Sequence, residues 1–156
     1  MNRYTKIYLF CFIFGCSCNS SQSPKIVGKD ADTKTNEELL KSKANMLYEQ
    51  DKYVDAINYF DSLIHLDSTN GEYYFKRGYS YVMLIKKNKA IDDFKKAIIC
   101  NYRVNQAYYN IGVEYSYMND SLALLNFEKC LAIDPGFTKA YIDIEDCKKR
   151  LKEKVN

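Results

Sequence analysis

The sequence predicts an all-α chain: three helix-turn-helix units in series, closed by one more helix. Three observations carry this. Matched residues recur 34 positions apart through most of the chain. Within each unit the apolar residues follow the spacing of two amphipathic helices rather than strand alternation. Neither of the two prolines, Pro24 and Pro135, interrupts a proposed helix. With 156 residues, 47% hydrophobic and 28% charged, the chain is sized for one packed domain and is not a disordered tract.

Residues 1–15 read as an address. Met1–Lys6 is short and basic, and Ile7–Phe14 is an uninterrupted apolar run. A basic start, a short apolar stretch and a small residue at the cut describe a secretory signal. Eight apolar residues are too few for a permanent span, which needs roughly 20. Ile13-Phe14-Gly15-Cys16 resembles a bacterial lipobox, with Phe14 departing from the smaller residue usual at −2. The resemblance implies that Cys16 is lipidated and becomes the mature N-terminus. Acyl chains, at ~0.8 kcal/mol per buried CH₂, then hold the body on a membrane. Residues 16–35 follow as a polar tether containing Pro24, too poor in apolar residues to pack a core.

Three units come next, over 37–70, 71–104 and 105–137, the last one residue shorter. Ala44 aligns with Gly78 and Gly112, Leu47 with Tyr81 and Tyr115, and Tyr74 with Tyr108. Ala56 aligns with Ala90 and Ala123, and Phe60 with Phe94 and Phe127. The deletion in unit three falls in the turn near Asn119-Asp120. Helices are expected over 36–49, 53–66, 71–84, 87–100, 105–118, 121–132 and 138–152. Thr35-x-x-Glu38 reads as a capping box for the first, and Asp120 as the cap of the sixth. A small residue at the eighth position and Ala at the twentieth let the two helices of a hairpin approach, and the aromatic at position 24 fills the gap. Residues 138–156 form a capping helix. Ala140, Tyr141, Ile144, Cys147 and Leu151 make its apolar stripe, and Lys148, Lys149, Arg150 and Lys152 face water.

A 34-residue period of paired amphipathic helices is the signature of the tetratricopeptide repeat (TPR). Ala44…Leu47…Tyr53…Ala56…Phe60…Leu66-Asp67 resembles that family in the first unit. Tyr74…Gly78…Tyr81…Ala90…Phe94…Ala97 does so in the second, and Tyr108…Gly112…Tyr115…Ala123…Phe127…Asp134-Pro135 in the third. The resemblance implies a TPR superhelix that binds partners along its inner helices. It assigns the partner-binding face to Lys41, Asn45 and Tyr48 in unit one, and to Phe75, Tyr79 and Val82 in unit two. Tyr109, Val113 and Tyr117 follow in unit three, and Ile142 in the cap. Glu38, Glu49, Glu72, Met83, Gln106, Ser116, Lys139, Asp146, Lys149 and Arg150 complete the set. The middle of this face is apolar and aromatic, with Phe75, Tyr79, Tyr109 and Tyr117 as its floor, which suits an extended segment or a helix. Lys41 and Asn45 match part of the carboxylate clamp some relatives use, but Lys76, Gln106 and Asn110 stand where its other groups belong. The clamp is half missing.

Catalysis finds little footing. The chain has one histidine, His65, expected on an exposed outer helix beside Asp67. No multi-His metal site can be built from it, and no Gly-rich phosphate loop, CxxC or HExxH occurs. Asp92-Asp93 and Glu37-Glu38 are helical neighbours that point to different faces. Cys130 and Cys147 fall near each other, either bridged in an oxidising compartment or as two small buried thiols. No cofactor, metal or catalytic residue is expected. The net charge of +3 falls to +1 without Arg3 and Lys6, so no nucleic-acid footprint is expected either.

The sequence therefore reads as a non-catalytic interaction module. It would be an envelope lipoprotein scaffold or adaptor, lipid-anchored at the outer membrane of a bacterial cell and facing the periplasm. Its partner is a protein or peptide in the inner-helix groove. A second reading makes it an immunity protein neutralising an antibacterial toxin in the periplasm. Three repeats and a cap are about the minimum stable stack, which leaves self-association open.

Overall fold

A computed structural model describes residues 29–155. Seven helices follow one another: α1 (Lys29–Glu49), α2 (Tyr53–Leu66), α3 (Gly71–Met83), α4 (Lys87–Ile99), α5 (Val104–Ser116), α6 (Asp120–Ile133) and α7 (Thr138–Glu153). There is no strand among the described residues. Each helix packs on the next one in the chain, so the hairpins α1–α2, α3–α4 and α5–α6 stack in order under α7. This is the all-α TPR superhelix expected from the repeat. The signal segment and Cys16 lie outside the described residues.

The first helix starts earlier than the apolar pattern indicates. It begins at Lys29, so Thr35 lies inside it and Thr35-x-x-Glu38 is not its capping box. Residues 29–35 carry no Gly or Pro to stop a helix and no apolar stripe to announce one.

Each hairpin closes on one aromatic ring. Phe60, Phe94 and Phe127 are at most 1% exposed, opposite Ala44, Gly78 and Gly112 in the repeat register. The missing side chain sets the distance between the helices. A Cβ at Gly112 would sit 2.6 Å from the Phe127 ring, and one at Gly78 would sit 3.2 Å from Phe94. The core continues between units: Tyr73 joins the cluster of Phe60 and Leu63, and Ala107 and Ile111 join that of Phe94. Ala140, Ile144 and Cys147 of α7 join that of Phe127. Cys130 and Cys147 are both buried there as free thiols, the second of the two sequence readings. Tyr141, assigned to the buried stripe of α7, is 50% exposed, and its hydroxyl reaches the Pro135 carbonyl at 3.3 Å.

The turns are tight and mostly alike. At Asp51, Ile85 and Asn101 the chain enters the left-handed region, with φ of 58°, 58° and 55°. The next amide in each case bonds back five residues: Lys52 to Leu47 at 2.9 Å, Lys86 to Tyr81 at 2.8 Å and Tyr102 to Ala97 at 2.9 Å. These are Schellman closures, which satisfy helix-end carbonyls. Unit three lacks this turn residue, and Asn119 bonds directly back to Tyr115. Asn119, not Asp120, caps α6, accepting from the Leu122 amide at 3.1 Å.

Ion pairs tie the stack together. Arg77 donates to Asp93 at 2.6 and 2.7 Å and to Asp61 at 2.5 Å, joining α3 to α4 and α2. Burial works against the charge on Arg77, but its bonds to Asp93 and Asp61 outweigh it and hold the guanidinium well above its ordinary value. Asp120 has a side chain only 3% exposed, and it accepts from Arg150 and Lys154 at 2.7 Å each. The basic face of α7 is thus partly an anchor rather than wholly a charged surface. Hydrogen bonds from Lys154 and Arg150 hold the Asp120 carboxyl below the usual carboxylate value.

Gly112→Ala should cost about 1–3 kcal/mol by overpacking Phe127, and Gly78→Ala less. Urea unfolding of the two variants against wild type measures the difference. Asp120→Asn should cost about 1 kcal/mol at neutral pH, since its cationic partners are partly exposed to water. A depressed pKa adds stability that is present above the unfolded value of about 3.9 and is lost as pH falls through the lower, folded one. The stability gap between wild type and this variant should therefore be flat near neutrality and close below about pH 4, read by thermal melts across pH.

Candidate functional site

The first helices of the three hairpins and the start of α7 line a groove of about 620 Å³. Its walls are Tyr48 of α1, Phe75 and Tyr79 of α3, and Gln106, Tyr109 and Asn110 of α5, with Arg103 just before α5. Gly136 and Phe137, in the loop before α7, and Thr138 and Lys139, at its start, complete the lining.

The rings are held by one another. Tyr48 meets Phe60 edge-on at 6.3 Å and Tyr79 at 5.8 Å, so a core ring supports a groove ring. Phe75 leans on Phe94 at 5.5 Å and on Tyr102 at 5.7 Å. Tyr109 lies 5.6 Å from Phe127 and 4.9 Å from Phe137. Such contacts are worth about 0.5–1.5 kcal/mol beyond the burial itself and fix the rings before any ligand arrives. Burial, with the neighbouring Tyr79 and Tyr53, pushes the Tyr48 phenol up to about 12. Burial, with a hydrogen bond to Asp143, does the same for Tyr109. Both stay neutral hydroxyls at ordinary pH, an apolar face with a polar tip.

Of the residues assigned to the binding face, the groove gathers Tyr48, Phe75, Tyr79, Gln106, Tyr109 and Lys139. The rest do not line it. Lys41 pairs with Glu72 at 2.8 Å and lies over the Tyr73 ring. Lys76 pairs with the same Glu72 at 2.8 Å and donates to Asn45 at 2.8 Å. Lys41 and Asn45 are thus spent on a polar bridge between α1 and α3, and the half-clamp they suggested is closed by its own neighbours. Val82 packs against the Phe94 cluster and Val113 against the Phe127 cluster. Tyr117, read as part of the floor, is 70% exposed outside the groove with the Lys87 ammonium 4.2 Å from its ring centre. Ile142 is 66% exposed and does not line the groove.

The loop residues Arg103, Gly136 and Phe137 were missed by reading inner-helix positions alone. So were Asn110, noted only as an absent clamp residue, and Thr138. One signal did exist. Asp67 and Asp134 open the loops after units one and three, and each carboxylate accepts an amide two residues on, Thr69 at 2.9 Å and Gly136 at 3.0 Å. The loop after unit two has Asn101 at that register and folds differently.

His65 is exposed beside Asp61 and Ser62 on the outer helix. Among the described residues no cluster of three or more His, Cys, Asp or Glu is placed to hold a metal ion. No described helix is long and apolar enough to cross a membrane.

No protein-family model matches the chain. Small glutamine-rich tetratricopeptide repeat-containing protein 2 of Saccharomyces cerevisiae is 29% identical over 130 residues, 81% of this chain and 38% of the yeast protein. The chain spans 24% of the length of serine/threonine-protein phosphatase 5 from Rattus norvegicus, to which it is 25% identical. Among solved structures, MamA is 31% identical with a TM-score of 0.71, over 79% of this chain and 72% of MamA. The first TPR of Spaghetti (RPAP3), bound to the HSP90 peptide SRMEEVD, is 24% identical with a TM-score of 0.68, over 74% of this chain and 93% of that one. The 34-residue register, the ring-in-gap hairpins and these similarities agree that the chain belongs to the tetratricopeptide-repeat family.

Proposed function

We propose that this chain is a non-catalytic interaction module that holds an extended segment of a partner protein in its inner-helix groove. One observation carries the reading. Five aromatic rings from three successive repeats, Tyr48, Phe75, Tyr79, Tyr109 and Phe137, converge on one groove of about 620 Å³ that opens to solvent along α1, α3 and α5. Rigid aromatics with polar tips supply contact area at little entropic cost, and amides such as Gln106 and Asn110 can meet a peptide backbone. The peptide-bound RPAP3 domain supports a peptide occupant by similarity of fold.

The location we propose follows the leader alone: export, lipidation at Cys16, and display from an outer membrane toward the periplasm. Radiolabelled palmitate should enter the wild-type chain and not Cys16→Ala, which should leave the membrane fraction. Label retained by the variant would refute the anchor.

Crosslinking and pull-down from native envelope tests the groove. Tyr79→Ala/Asn110→Ala should recover at least roughly tenfold less partner than wild type, given the usual weight of an aromatic hot spot. Circular dichroism must first show an unchanged fold. Undiminished recovery would contradict the reading. A toxin as partner would favour the immunity role over a scaffold.

A further inference from the structure

The groove has a charge that its aromatic walls do not explain. None of its lining residues is acidic, and two, Arg103 and Lys139, are cationic. Among the described residues neither forms an ion pair, whereas Arg77 and Arg150 both do. Arg103 spends one hydrogen bond on the neutral amide oxygen of Gln106, at 3.1 Å. Its guanidinium lies 5.8 Å from the centres of both the Phe75 and the Tyr102 rings. Stacking of this kind orients the planar fork and leaves N–H donors for a carboxylate.

The backbone places it there. Arg103 is left-handed, with φ 43°, directly before α5, and Asn101 two residues earlier has φ 55°. The corresponding loops after units one and three contain no left-handed residue, because an aspartate turn shapes each. A non-glycine residue held at positive φ costs free energy and persists only where its surroundings over-determine it. Here the Schellman closure of α4 and the Phe75–Tyr102 contact do so.

Resting on the groove reading above, we propose that the groove selects an acidic extended segment. A side-chain carboxylate binds Arg103, and an apolar side chain beside it enters the slot between Tyr79 and Tyr109. Lys139 adds attraction of the same sign. This anchor lies in a loop between repeats, outside the inner-helix clamp positions, two of which are already tied up by Glu72 and Lys76.

The test is a phage library of random dodecapeptides, joined to the coat protein through their C-termini so that side chains supply the displayed carboxylates. It is selected on the full chain, on Arg103→Glu and on Tyr79→Ala/Tyr109→Ala. Arg103 is exposed and makes no ion pair, so its variants should keep the wild-type melting temperature. Wild type should enrich Asp or Glu within three residues of an apolar residue, and Arg103→Glu should enrich Lys or Arg instead. The best acidic peptide, measured by fluorescence polarisation, should weaken roughly tenfold to a hundredfold on Arg103→Gln, the usual range for a lost charge-assisted bond. Peptides that need Tyr79 and Tyr109 but are neutral or basic, or that ignore Arg103→Gln, would overturn the acidic-segment inference and leave the groove standing. A selection yielding no peptide that depends on Tyr79 and Tyr109 would overturn the groove reading and this inference with it.

Discussion

Everything in this molecule depends on how closely the two helices of a hairpin can approach. The limit is set by one buried ring against one small residue: Phe60 with Ala44, Phe94 with Gly78, Phe127 with Gly112. Burying such a ring stabilises the fold by about 1.5–3 kcal/mol, and the small residue decides the geometry at which that gain is realised. The same pair recurs in each of the three hairpins, and each helix packs on the next in the chain. Equivalent positions on α1, α3 and α5 then line one surface. The groove rings rest on this layer: Tyr48 on Phe60, Phe75 on Phe94, Tyr109 on Phe127. The functional face is thus the outer layer of the core, one ring further out.

Apolar packing alone would let neighbouring units slide. Polar ties oppose this between units one and two, within the hairpins and at the cap. Lys41, Glu72, Lys76 and Asn45 join units one and two on the inner side. Arg77 ties α3 to α2 and α4. The Asn105 amide meets Asp134 at 3.1 Å within unit three, and Asp120 fixes the cap. Half-buried charges contribute modestly to stability but fix geometry, because one left unpaired is costly. With these cations and carboxylates satisfied by each other, Arg103 and Lys139 stand apart at the groove.

The repeats were legible in the sequence because steric contact imposes them residue by residue. A ring and a gap must recur in step, so composition betrays geometry. Four groove rings were legible for the same reason. Other features depend on partners far along the chain or on backbone conformation. Asp120 looked like a cap, but its buried carboxylate meets residues 30 and 34 positions later. Val82 and Val113 occupy groove-facing register, yet their short branched side chains are half-buried against the core clusters. Tyr117 sits beyond the last turn of α5 and swings away from the groove. Arg103 enters it from a loop that lacks the aspartate turn found in the other two, a deviation that apolar periodicity does not record.

The central claim is that the partner lies against the ring layer of α1, α3 and α5. Site-specific photo-crosslinking tests it most directly, with p-benzoylphenylalanine placed in the full chain at Tyr79 or, as a control, at Ile99, which is 75% exposed on α4. The account predicts a discrete crosslinked product from position 79 and none from position 99. Crosslinking from position 99 with none from position 79 would contradict it and move the binding face to the outer helices.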